Sequence, residues 1–131
     1  MKLNPDCIRE VLIKTEDIKL NGDLSFNDLC EAIPDFTPDE ITYTCLKLKE
    51  AGYLIAMTYG ANNNFSVPVV FDLTYTGHEF LQDIRSSKTW KTVKTTAGKI
   101  GSFSLKTLSQ IAAGIIQAMI TQQLSGSPPT P

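Results

Sequence analysis

From Asn4 onward the apolar positions fall in the register of a helix. Ile8, Val11, Leu12, Thr15 and Ile18 recur at about 3.6-residue spacing, with Ile13 off that face. Asn4-Pro5-Asp6 is a start signal, because a side-chain oxygen caps free amides, proline tolerates the first turn and an acid suits the positive helix end. A first helix is therefore predicted to about Ile18, broken by Asn21-Gly22-Asp23. Ser25 with Asp28 opens a short second helix through Ala32, which Pro34 ends. Thr37-Pro38-Asp39-Glu40 repeats the device ahead of a third helix carrying Ile41, Cys45 and Leu48 and stopping at Gly52.

The period then changes. Tyr53 to Tyr59 and Val67 to Leu73 are β-prone runs on either side of Gly60-Ala61-Asn62-Asn63-Asn64, which is turn chemistry, so a hairpin is predicted. Pro68 belongs at a start or an edge of its strand, since it has no donor for the ladder. Thr74 caps a fourth helix with Phe80, Leu81 and Ile84. Trp90, Val93, Ala97 and Ile100 form one face of a fifth, whose other side gathers Lys88, Lys91, Lys94 and Lys99. Ser104 caps a sixth, ending near Leu124. Three helices and a two-stranded wing are the order of a winged helix-turn-helix. The fold class predicted is mainly α with a small β hairpin, followed by C-terminal helices. Residues 1–86 form the winged-helix domain, 87–124 a helical arm that packs on it or mediates oligomerisation, and 125–131 a disordered tail of Gly, Ser, Pro and Thr.

Leu48-Lys49-Glu50-Ala51-Gly52-Tyr53-Leu54-Ile55 looks like the end of the recognition helix and the start of the wing in many bacterial winged-helix proteins. Further on, the segments Leu73-Thr74-Tyr75-Thr76-Gly77-His78-Glu79-Phe80-Leu81, Ile84-Arg85, Trp90 with Val93-Lys94, and Gly101-Ser102-Phe103-Ser104-Leu105 resemble a family of bacterial and prophage proteins known as a domain of unknown function. The resemblance covers most of the chain. It implies a winged helix followed by C-terminal helices, common in Gram-positive bacteria and their phages, and no established activity. Cys45 stands where that pattern usually has leucine and Leu46 where it has a polar residue, which alters the usual recognition surface.

Charge separates the chain into two parts. The first 83 residues hold fourteen acids and six bases, a balance of −8; the last 48 hold six bases and no acid, a balance of +6. The three cysteines, Cys7, Cys30 and Cys45, form no C-x-x-C pair and read as reduced structural thiols of a cytoplasmic protein. Ile111 to Ile120 is too short to span a bilayer, and the N-terminus has no apolar signal region. Catalysis finds no footing. The lone His78 adjoins Glu79, but neighbouring helical residues diverge by about 100 degrees and cannot form an orienting acid–base pair. No phosphate loop and no metal-ligand spacing is present, so the expectation is a non-catalytic binding protein without a cofactor.

Two partners remain. For DNA, Thr42, Lys47 and Lys49 would act in the groove and Lys88, Lys91 and Lys94 on phosphate, although Asp39 and Glu40 lead the reading helix and the wing tip carries no cation. Duplex readers gather about 6–10 phosphate contacts, so the fifth-helix lysines or a second subunit would supply most of them. For a protein partner, Tyr43 and Leu46 would be exposed anchors; packing inside the same chain is the alternative use of that pair. On the sixth helix Leu108, Ile111, Ile115, Ile116, Met119 and Ile120, with Leu105 and Ala112, cover about half the circumference, and no charge follows Lys106. Burying them contributes on the order of 10 kcal/mol before entropy. A homodimer through this helix is therefore expected, ahead of attachment to a membrane surface.

Overall fold

The computed structural model describes residues 1–60 and 67–126. The elements are α1 (Pro5–Glu16), α2 (Phe26–Ala32), α3 (Pro38–Glu50), β1 (Leu54–Tyr59), β2 (Val67–Leu73), α4 (Tyr75–Ile84), α5 (Ser87–Ile100) and α6 (Leu105–Leu124). The chain is thus mainly helical with one antiparallel two-stranded hairpin. It divides into two units, residues 1–81 and 82–131, with the division inside α4. The expected turn from Ala61 to Asn64 and the tail from Ser127 lie outside the described residues.

The helix starts follow their caps. Asn4 accepts from the Asp6 amide, Ser25 from the Asp28 amide and Ser104 from the Thr107 amide. Thr37 and Glu40 form both halves of a capping box at α3. The first helix is two residues shorter than predicted: Asp17 caps it, and the chain then turns through a Lys19–Gly22 hydrogen bond with Asn21 at φ +64°. Ile18, pulled off the stripe by that exit, is only half-buried.

In the first unit α1 and α3 pack on each other and on the hairpin, and α2 packs on β2. Ile8, Val11 and Leu12 from α1 and Ile41, Cys45 and Leu48 from α3 are essentially solvent-free. Each such aliphatic side chain contributes about 1.5–3 kcal/mol relative to exposure. Thr15 shares this core by returning its hydroxyl to the Val11 carbonyl at 2.7 Å. Cys7 and Cys45 are buried and Cys30 half-buried, all as free thiols; burial pushes the Cys45 thiol up to about 12, which makes it a poor nucleophile.

β1 and β2 pair from Tyr59–Val67 through Met57–Val69 to Leu54–Leu73, with an irregularity between Ile55 and Ala56. On the far side of β2, Leu24 and Val70 exchange both backbone hydrogen bonds, at 2.8 and 3.1 Å. Since ladder groups alternate in direction, Pro68 shares the direction of Val70 and faces its missing donor away from β1. The two feet of the hairpin are tied by one residue. Thr74 donates its hydroxyl to the Gly52 carbonyl at 2.5 Å, accepts from the Gly77 amide at 3.0 Å, and its own amide donates to the Tyr53 carbonyl at 3.1 Å. Gly77 is required here, because a Cβ would collide with the Tyr53 carbonyl.

In the second unit α5 and α6 pack against each other. Gly101, at φ +85°, closes α5. Trp90, Val93 and Ala97 are buried as predicted, but Ile100 is exposed: it stands at the last position of α5, where the chain leaves the helix through that glycine.

Candidate nucleic-acid interface

The surface of α3 follows from its cap. The Glu40 carboxylate accepts from the Thr37 amide at 3.1 Å and from the Asn4 side chain at 3.1 Å, so it fastens the starts of α1 and α3 together. Those hydrogen bonds, first from Asn4 and then from Thr37, hold the Glu40 carboxyl below its ordinary value of 4.5. A folded-state value that is depressed stabilises the fold above the unfolded value and loses that contribution as pH falls through the folded one. Glu40→Gln is accordingly expected to melt below wild type at neutral pH. The gap should narrow in acid below about 4.5, as read by a pH series of thermal melts.

With Ile41, Thr44, Cys45 and Leu48 turned inward, the opposite side of α3 is centred on Asp39, Tyr43, Leu46 and Glu50, flanked by Thr42 and Lys47. The helix thus carries an aromatic and an aliphatic residue between two acids. Tyr43 and Leu46 are half-buried, each keeping only part of its surface open. Lys47 does not project freely: its ammonium lies 3.0 Å from Glu50 and 5.4 Å from the centre of the Tyr43 ring. The hydrogen bond to Glu50 raises its pKa. Thr42 is half-buried and Lys49 exposed.

The hairpin departs furthest from a phosphate-binding wing. From Ala51 to Phe71 there is no charged residue. Ile55, Met57 and Tyr59 are 51%, 51% and 52% exposed, and Val67, Val69 and Phe71, on the same face, are half-buried. Ile55 and Phe71 also line a groove of about 520 Å³ that reaches the turn after α1, where Glu16, Lys19, Asp72 and His78 make its lining mixed. Reading for helix faces missed this surface; the signal was Ile55, Met57 and Tyr59 at alternate positions of β1 together with the absence of charge.

On α5, Lys88 and Lys91 are exposed, and Lys94 is half-buried with its ammonium 5.8 Å from the centre of the Trp90 ring. These three share one helix at three-residue spacing. On α6 the outcome is mixed. Leu108 and Ala112 are fully buried in the single chain, so Leu108 is not available to a second copy and leaves the set expected to oligomerise. Ile111, Ile115 and Ile116 are half-buried, whereas Met119, Ile120 and Leu124 are exposed and line, with Ile116 and Gln123, an apolar depression near the helix end. Since α6 has twenty residues and α5 fourteen, α6 is longer by about 9 Å. Among the described residues no cluster of His, Cys, Asp or Glu is suited to a metal, and no helix is long and apolar enough to cross a membrane.

These features describe a mainly helical chain with an antiparallel hairpin, whose candidate site is a set of surfaces. The chain belongs to the family described as Hypothetical protein (DUF2513), whose model matches residues 2–104. A relative from Haemophilus influenzae, described as an uncharacterized protein, is 34% identical over 122 residues, covering 92% of this chain and 99% of the relative. Among solved structures, a PadR family transcription regulator from Clostridium difficile aligns with TM-score 0.44 and 10% identity over 72% of this chain and 98% of that one. Bacillus subtilis PadR in complex with operator DNA aligns with TM-score 0.44 and 15% identity over 95% and 78%. At those scores neither likeness fixes the fold or the ligand of this chain.

Proposed function

We propose that the chain is a winged-helix DNA-binding regulator acting as a homodimer. The observation that carries this reading is the reciprocal Leu24–Val70 pair, which adds a third strand position to the hairpin behind α2 and α3. Three helices closed by such a sheet are the framework that places a second helix of a helix-turn-helix in a major groove. In that role Thr42, Lys47 and Lys49 face the groove, with Lys47 leaving Glu50 to reach phosphate. Lys88, Lys91 and Lys94 supply sequence-independent attraction. The test is fluorescence anisotropy against a random labelled duplex, titrated from about 50 to 200 mM salt, where phosphate contacts must weaken steeply.

One observation favours a second reading. The acid–aromatic–aliphatic–acid stripe of Asp39, Tyr43, Leu46 and Glu50 suits a basic protein surface better than a phosphate backbone. Absence of duplex binding at the lowest salt moves the assignment to a protein partner docking on Tyr43 and Leu46.

The dimer contact is assigned to the end of α6. From Thr107 to Leu124 it has no charge, so two copies meet there without like-charge repulsion. Because Met119 and Ile120 are exposed in the single chain, Met119→Glu/Ile120→Glu is expected to leave the melting temperature unchanged while lowering the assembly mass in light scattering relative to wild type. A wild-type monomer at the same concentration removes the assignment.

A further inference from the structure

β1 is the open side of the hairpin. The far side of β2 is occupied by Leu24, whereas among the described residues no backbone hydrogen bond reaches β1 from outside the hairpin. Natural sheets guard such an edge with charge, with proline, or with a bulge that twists it away. None of these devices protects the outer half of β1. The residues from Ala51 to Phe71 are uncharged in a chain that is 20% charged, the proline sits in β2, and the irregularity lies at the foot, leaving Ala56 to Tyr59 in regular register.

The direction of the free groups follows from the pairing. Val70 exchanges both its hydrogen bonds with Leu24, so Val69, one residue away, turns its N–H and C=O toward β1. Met57, opposite Val69, turns its own toward β2. Ala56 and Thr58 therefore present theirs at the open edge.

We propose that this edge pairs with the same edge of a second copy, antiparallel, about a two-fold axis through Met57. The sequence of β1 is self-complementary in that register. Ala56 and the partner's Thr58 exchange both backbone hydrogen bonds, and symmetry repeats the exchange, so the groups aimed outward are the ones used. Met57 meets the partner's Met57 at a non-hydrogen-bonded position, where Cα atoms lie about 4.5 Å apart and side chains are closest. Ile55 meets the partner's Tyr59, a β-branched residue against an aromatic one, which is a favourable cross-strand combination. No like charges oppose each other, because the strand has none. An axis through Thr58 would carry the pairing past Gly60, and one through Ala56 would set Tyr59 against the partner's Tyr53, outside the strand; only the Met57 axis keeps Ile55 to Tyr59 paired throughout. The product is a four-stranded sheet in which β1 is no longer an edge. This contact is independent of α6.

Disulfide trapping tests it in the full chain, with Cys30→Ser removing the half-buried native thiol. In oxidised glutathione, M57C is expected to form a linked dimer at least about tenfold faster than Y59C, because the pairing brings thiols at the same position together only on the axis. The double variant I55C/Y59C should link as fast as M57C, while I55C alone does not. Linking of Y59C as fast as M57C, or of T58C faster than M57C, overturns the register. No linked dimer from any of these variants overturns the pairing.

Discussion

Leu48→Ala is expected to lower stability by about 2–5 kcal/mol and the melting temperature by about 10 °C or more. The side chain is solvent-free on the inner face of α3, in the core that α1 and α3 share, and a rigid two-helix contact closes only partly over the space it leaves. Because the same helix carries the candidate reading face, any binding by this variant should be lost in proportion to the unfolded fraction. It should return at lower temperature. Lys49→Ala, at an exposed position on the same helix, sets the scale for a surface change and should stay within about 0.5 kcal/mol of wild type. A Leu48→Ala protein that melts with the wild type would place α3 outside the core.

The second large effect concerns charge. Lys88→Glu/Lys91→Glu is expected to weaken duplex binding by about 10- to 100-fold near 100 mM salt and to reduce the slope of log affinity on log salt by about two. Both lysines are exposed, so thermal melts should change little. The two readouts separate an interface from a solvated face. Unchanged affinity and slope would mean that the cations of α5 take no part in binding. Lys94 is a poorer choice for this test, because its ammonium lies over the Trp90 ring and its loss would mix packing with charge.

Much of the fold was legible because its helices announce themselves by chemistry at their ends. Asn4, Ser25, Thr37 and Ser104 each satisfy amides that would otherwise be orphaned, and a side-chain oxygen ahead of an apolar stripe is visible without coordinates. The hairpin was legible from the change of period, and its far edge was not. Leu24 contributes a single paired residue to that edge, too short to leave any alternation in the sequence. Ile100 shows another kind of error: periodicity gives the angle of a residue around a helix but not whether anything continues beyond the helix end. Tyr43 and Leu46 were assigned by angle alone, and their half-burial depends on neighbours that periodicity does not supply. Lys47 pairs with Glu50 three positions on, a contact whose spacing is visible in the sequence.

Thr74 has a mechanical consequence. Its side chain holds the end of α3 at Gly52 and the start of α4 at Gly77, while its amide holds Tyr53, so both roots of the hairpin meet at one bearing. Movement of the hairpin at its root therefore has to break hydrogen bonds to both neighbouring helices at once, so the two helix ends and the hairpin are mechanically coupled through one side chain.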